Sequence, residues 1–300
     1  MSIEKKTTNK SQTEDPLECY KQAIHHEEQG KIPKAILNIN KLLRIDHKHR
    51  LGIKMREKLF YAQISSRKMD LHKMKKAEQS IEEHRKSLKN TTLSQLEQSR
   101  HHRHIGDGYL ALALYGDPNL CRSNYHNALL TYTHALSLNT IDATIYYGRG
   151  KVYFDLLQYY DALQDFTKAI EINPEEGLFY NIRCNVYVFL EEGDLALQDA
   201  RLALKYNPKQ TYALQVLHKL GTDEEVISIS LAILEKQPNH QDAKHFFEKK
   251  MGKSYEAYKQ EKEKLANILN RFGLLAVPQL NSTIAEYVVD KALPDKIKLS

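Results

Sequence analysis

Residues 143–176 read ATIYYGRGKVYFDLLQYYDALQDFTKAIEINPEE, and residues 177–210 read GLFYNIRCNVYVFLEEGDLALQDARLALKYNPKQ. The two stretches agree in register. Tyr146 recurs as Tyr180, Tyr153 as Tyr187, Ala162 as Ala196, Ala169 as Ala203 and Pro174 as Pro208, each 34 residues on. A fixed period of this kind marks a repeat architecture. Each unit holds two short amphipathic helices: Tyr146, Val152 and Tyr153 share a face of the first, and Ala162, Phe166, Ala169 and Ile170 follow helical spacing on the second. The small side chains of Ala162 and Ala169 let the two helices approach, and Tyr153 and Phe166 fill the space between them. Pro174 helps end the second helix, since proline lacks the N–H and clashes with the preceding turn. One such hairpin cannot bury its apolar face alone, so neighbouring units must stack.

The pattern Tyr146-x-x-Arg149-Gly150-x-x-Tyr153, then Ala162-x-x-x-Phe166, Ala169 and Pro174, resembles the tetratricopeptide repeat, whose signature is W-x-x-L-G-x-x-Y, A-x-x-x-F and P. The second unit repeats it as Tyr180, Arg183, Cys184, Tyr187, Ala196, Ala200, Ala203 and Pro208. Upstream, Ala128, Tyr132, Ala135 and Thr140 stand one period before Ala162, Phe166, Ala169 and Pro174, with Gly106 and Tyr109 in the first helix. Gly106 and Ala128 are 22 apart where Gly150 and Ala162 are 12 apart, so an expanded loop is expected near 112–127. Ala23, Gly30, Ala35, Ile39 and Leu42 fit a further unit near the start, with His47 where proline is expected.

The resemblance implies an all-α fold, a right-handed superhelical solenoid of helical hairpins, with a long basic helix inserted after the first repeat. The expected order is a disordered leader (1–15), a repeat (16–49), a basic helical segment (50–98), a repeat with the expanded loop (99–142), full repeats at 143–176 and 177–210, a shortened unit (211–240), a capping helix (241–272), and a tail (273–300) with a short helix around Ile284–Ala292. In the basic segment, Ile53, Phe60, Met74, Ile81 and Leu88 fall on one heptad position, while the row four residues on is half polar. A two-stranded coiled coil wants both rows apolar. The segment is therefore one long helix of up to about 70 Å at 1.5 Å per residue, or two broken ones, its beginning packed on the first repeat.

Charge is uneven. The chain carries a net +6, and residues 51–100, with twelve Lys or Arg against six Asp or Glu, carry 12 − 6 = +6 alone. Such a segment is either a solvated charged helix or a contact surface for an acidic partner or a microtubule. Nucleic acid is disfavoured, because Phe60 and Tyr61 are its only aromatics suited to stacking and no nucleic-acid motif is present. Cys19, Cys121 and Cys184 are odd in number and form no C-x-x-C, which points to a reducing compartment. No apolar run is long enough to span a membrane. A cytoplasmic setting, cytoskeletal or ciliary, is the expectation.

No residue pattern supports catalysis, a cofactor or a metal. Among His101, His102 and His104, the adjacent pair point to different faces of a helix, and the three lack the i, i+4 spacing of a helical metal site. Cys184 takes the small-residue place of Gly150 and has no base at a recognisable spacing. "GDG" at 106–108 is not a phosphate loop.

In the resembled family the first helix of each repeat lines a binding groove. The inward positions that this implies are Thr144, Tyr147, Lys151 and Phe154, then Leu178, Asn181, Asn185 and Val188, then Tyr212, Gln215 and Lys219. The function implied is a non-enzymatic scaffold or adaptor that takes up a segment of a partner protein. The alternatives are a structural component of a cytoskeletal or ciliary assembly, and a co-chaperone. The subfamily that clamps chaperone C-terminal carboxylates needs Lys and Asn, then Asn, then Lys and Arg. Here those places hold Tyr147, Lys151, Ile182, Tyr212 and Val216, or one unit earlier Arg103, Asp107, Gly148, Leu178 and Ile182, so a standard clamp is disfavoured.

Overall fold

The computed structural model describes residues 15–64 and 68–271, with side chains as far as 264. The expected leader and tail helix lie outside these residues, apart from Asp15. All regular structure described is helical, and it falls into two compact units divided between Glu192 and Gly193.

The first unit holds α1 (Pro16–Glu28), α2 (Ile32–Ile45), α3 (Arg50–Ile64), α4 (Leu71–Ser87), α5 (Gln95–Tyr115), α6 (Cys121–Leu138), α7 (Ala143–Asp155), α8 (Tyr159–Ile172) and α9 (Gly177–Phe189). The expected all-α hairpin repeat is what the chain builds. α1 pairs with α2, α5 with α6, and α7 with α8. The small positions Ala23, Ala35, Ala128, Ala135, Ala162 and Ala169 are all fully buried, as close helix approach requires.

Tyr132 shows how tightly the hairpins close. Its ring lies between α5 and α7, where a Cβ added at Gly106 would meet it at 2.8 Å and one at Gly148 at 2.6 Å. Only glycine fits at either place. The turns repeat as well: Leu157 and Glu191, one period apart, both take left-handed backbone, with φ of 60° and 59°.

The basic segment forms two helices, the second of the two forms left open by the sequence. Asp70 is extended and caps α4, accepting the N–H of Lys73 at 3.1 Å. The heptad row still faces inward: Phe60 and Ile81 are buried, and Ile53, Met74 and Leu88 are half-buried. α3 packs on α2, as a cap on the first hairpin should, while α4 packs along α5. The loop expected near 112–127 is a correction. The extra residues lengthen both helices, α5 to 21 residues and α6 to 18, and only Gly116 to Leu120 connect them, through a 3-10 turn at Pro118–Leu120. The turn residues Gly116, Asp117 and Pro118 do turn the chain, but Cys121 already begins the next helix.

The first hairpin also docks laterally. Asn40 of α2 accepts the N–H of Tyr159 at the start of α8, and the Arg44 guanidinium lies 4.9 Å from the Tyr160 ring centre. Glu57 of α3 pairs with Arg122 at the start of α6, and Phe60 meets Tyr125 edge-on at 6.0 Å. A single core therefore runs from Ala23 and Leu42 through Leu59 and Tyr125 to Tyr159 and Phe166.

The second unit holds α10 (Gly193–Tyr206), α11 (Thr211–Leu220), α12 (Asp223–Lys236), α13 (Gln241–Met251) and α14 (Tyr255–Arg271). α11 is only 10 residues long, with Gly221 at its C-terminal cap. The expected single capping helix is two. Gly252, at φ +71°, ends α13 before α14 begins. Ala243, Phe247 and Met251 are buried, and α13 covers α12.

Candidate functional site

The first eight expected groove residues occupy one face of two adjacent helices. Thr144, Tyr147, Lys151 and Phe154 recur at steps of three and four along α7, and Leu178, Asn181, Asn185 and Val188 do so along α9. Such steps keep side chains on one stripe of a helix. None of the eight is buried: Thr144 is exposed and the others are half-buried. Aromatic contacts hold the two helices in register. Tyr147 lies 5.4 Å from Phe179, and Phe154 lies 5.4 Å from Phe189. The Lys151 ammonium sits 5.5 Å from the Tyr147 ring centre, a favourable place for a cation over an aromatic face.

Tyr212, Gln215 and Lys219 lie in the second unit, on α11. Tyr212 is half-buried and the other two are exposed.

A cleft of about 720 Å³ opens where the first halves of α5, α7 and α9 meet. It takes in Thr144, Tyr147 and Leu178 from the expected set, and Lys151, Phe154, Asn181, Asn185 and Val188 are not among its lining. The sequence did not mark Leu96 and Arg100 of α5 or Ile141 before α7, which also line it. Arg103 and Asp107, considered only as failed clamp positions, belong to its wall. The signal that would have found them is the helical phase of α5, which the long helix carries one unit further than the repeat pattern does.

The wall is internally bonded. Tyr132 donates its hydroxyl to Asp107 Oδ1 at 2.6 Å, and Arg103 donates to Asp107 Oδ2 at 3.2 Å. Burial, with the Asp107 charge beside it, pushes the Tyr132 phenol well up, so it stays a donor at any ordinary pH. Burial likewise raises the Tyr147 phenol, with Glu176 adding to it. Asp142 and Glu176 cap α7 and α9, accepting the N–H of Thr144 at 2.9 Å and of Leu178 at 3.2 Å. The rim is apolar: Ile141 is 77% exposed and Leu96 45%. An open cleft with an apolar rim and a bonded polar wall can hold a chain segment.

The histidines come together across helices. His101 and His104 meet His84 of α4, with Nδ1 of His84 and His101 3.0 Å apart and the His104 ring stacked on His84 at 4.6 Å. His102 points the other way, onto His134 of α6 at 4.2 Å. Three neighbours in sequence therefore serve two interfaces.

Comparison with known proteins agrees with the repeat. The model of the tetratricopeptide repeat matches residues 143–176. No curated protein matches the sequence. The fold is similar to the tetratricopeptide domain of Arabidopsis OM64, at 25% identity over 42% of this chain and 97% of that one, with a TM-score of 0.36. It is also similar to TTC0263, a tetratricopeptide protein of Thermus thermophilus, at 16% identity over 68% and 99%, with a TM-score of 0.42. The second such domain of human RPAP3, solved with an HSP70 peptide, is 22% identical over 42% and 96%, with a TM-score of 0.36.

Proposed function

We propose that this tetratricopeptide-repeat chain is a non-enzymatic scaffold or adaptor, and that the face made by α5, α7 and α9 takes up an extended segment of a partner protein. The observation that carries the reading is the cleft at the first halves of those helices. Ile141 and Leu96 stand exposed at its rim, and Tyr147 and Leu178 stand half-buried along its sides. Large apolar side chains left in water around a cleft gain by being covered, at about 25 cal/mol per Å² of apolar surface. In the polar wall Asp107 already accepts from Tyr132 and Arg103, so an incoming segment need not compensate that carboxylate. Farther along the same face, Lys151 and Asn185 supply a cation and an amide that can pair with a partner's carboxylates and backbone.

Selection of displayed peptides on the immobilised full chain, followed by anisotropy with the peptide recovered, tests the reading. Ile141→Asp should weaken that peptide by roughly tenfold or more, as loss of an interface anchor does. Its side chain is almost wholly in water, so the fold should be untouched by circular dichroism. Lys151→Glu with Asn185→Ala should weaken it further. Peptides that bind all these variants as well as the parent chain would place recognition elsewhere.

A further inference from the structure

Helix α4 turns one side onto α5 and leaves a charged, partly apolar side in water. Ala77 and Ile81 are buried, and Met74, His84 and Leu88 are half-buried. On the other side Leu71 is 52% exposed, and Met69, just before the helix, is 56% exposed. Lys68, His72, Lys75 and Lys76 surround them and are exposed. Residues 68–76 hold four Lys and one Asp, a net of 4 − 1 = +3 in nine residues. That one carboxylate is engaged: Asp70 accepts the Lys73 N–H and pairs with the Lys73 ammonium at 3.4 Å. Those contacts hold it below the usual carboxylate range, the backbone bond most of all. Among the described residues no carboxylate pairs with Lys68, Lys75 or Lys76. The later part of α4 differs. Lys86 pairs with Glu82, and Glu78, Glu82 and Glu83 balance Arg85, Lys86 and Lys89. Half of the basic segment's net +6 thus lies at the start of this helix, where Lys68, Lys75 and Lys76 have no carboxylate partner among the described residues.

We infer that residues 68–76 form a docking surface for an acidic, partly apolar segment of a partner protein, separate from the cleft on α5, α7 and α9. Charge complementarity selects the occupant. Unpaired lysines at a rim attract and orient an acidic chain, and Met69 and Leu71 between them give it apolar anchors, methionine being adaptable in shape. Nucleic acid fits poorly, because residues 68–76 hold no arginine to fork onto bases and no Phe, Tyr or Trp to stack on them, and the neighbouring Tyr115 ring is already taken by the Lys73 ammonium at 4.1 Å. A lipid surface fits poorly too. A helix lying in a membrane interface needs a broad apolar face, and that face of α4 is already turned onto α5.

The test is anisotropy of the full chain with a fluorescein-labelled peptide of alternating Glu and Leu, at an ionic strength where screening acts beyond about 8 Å. Charge reversal by Lys75→Glu with Lys76→Glu should raise Kd roughly tenfold or more. Met69→Ser with Leu71→Ser should raise it several-fold while leaving the salt dependence unchanged. The charge-matched control, Lys205→Glu with Lys209→Glu, should bind as the parent does, and so should Ile141→Asp, which keeps this surface and the cleft distinguishable. All these positions except Lys209 and Lys205 lie in the first unit, and every one is exposed. Equal weakening in the control pair, undiminished binding after reversal at Lys75 and Lys76, or binding confined to phosphatidylserine vesicles would each overturn the inference.

Discussion

Asn40 caps a helix that begins 119 residues later. Its Oδ1 accepts the backbone N–H of Tyr159, the first residue of α8, at 3.1 Å, and its Nδ2 donates to the carbonyl of Ile36 at 3.0 Å. Gln158, which precedes α8, makes no side-chain capping bond of its own. The first hairpin therefore supplies what the repeat lacks. Asn40 is 2% exposed, so its removal leaves a buried N–H unpaired. Asn40→Ala should cost about 1–3 kcal/mol. Denaturant unfolding would show a lowered midpoint, and amide exchange would quicken in α1 to α3 first. An unchanged midpoint would mean that the apolar contacts alone hold the hairpin in place.

A second tie joins successive repeats. Arg149 of α7 donates to both carboxylate oxygens of Asp165 in α8, at 2.8 Å and 2.7 Å, and also to Thr133 of α6 at 3.4 Å. Tyr146 and Tyr153 flank the guanidinium, each 5.9 Å away. Asp165 is buried, so removing its partner strands a charge. Arg149→Ala should lose about 3–5 kcal/mol, and Arg149→Met with Asp165→Leu should regain most of it, because breaking a buried pair costs more than replacing both members. A double-mutant cycle by thermal or urea unfolding measures the difference.

These two ties show what the sequence could disclose. The hairpins were legible because Ala162, Phe166, Ala169 and Pro174 repeat locally at the spacing a helix needs, and the structure buries or places them accordingly. Asn40 was not legible. In sequence it is one polar residue on an apolar helix, and its partner is a backbone group over a hundred residues away. The lengthened α5 and α6 were misread as a loop because the turn residues near Gly116 weighed more than the helix-forming residues on either side. The cleft was half legible: Thr144, Tyr147 and Leu178 came from the repeat register, whereas Leu96 and Ile141 lie where that register fades. The histidine contacts required knowing that α4 and α6 flank α5.

The paired left-handed turns give a third expectation. A residue with a side chain pays roughly 1–2 kcal/mol in left-handed backbone, which glycine avoids. Glu191 is exposed and its side chain has little to lose. Glu191→Gly should therefore raise stability by about 0.5–1 kcal/mol after the added entropy of the unfolded chain is counted. Leu157 has the same backbone but is only 2% exposed. Leu157→Gly should lose about 2–4 kcal/mol, the burial outweighing the strain. Urea midpoints moving in opposite directions would bear this out, and a loss in both would show that the turn does not store the strain.

The histidines set the last expectation. Burial lowers the pKa of His84, with His101 next, and burial lowers that of His104, with Arg103 next. Burial and His134 bring His102 down to about 4. The groups facing these rings are Glu83 from α4, His101, Arg103 and Asp107 from α5, and His134 from α6. The bond between His84 and His101 needs at least one neutral ring. Above about pH 6.5, the ordinary histidine value, His84, His102 and His104 are neutral whether the chain is folded or not, and they add no pH dependence. As pH falls below that value the unfolded chain takes up protons that the folded chain resists, so stability declines until the folded values are passed, near 4 for His102. The urea midpoint should therefore drop between pH 7 and pH 5, before most carboxylates titrate. His84→Gln with His102→Gln should flatten that slope while leaving the groups around them in place. A variant with the parent's full slope would assign the acid sensitivity to other residues.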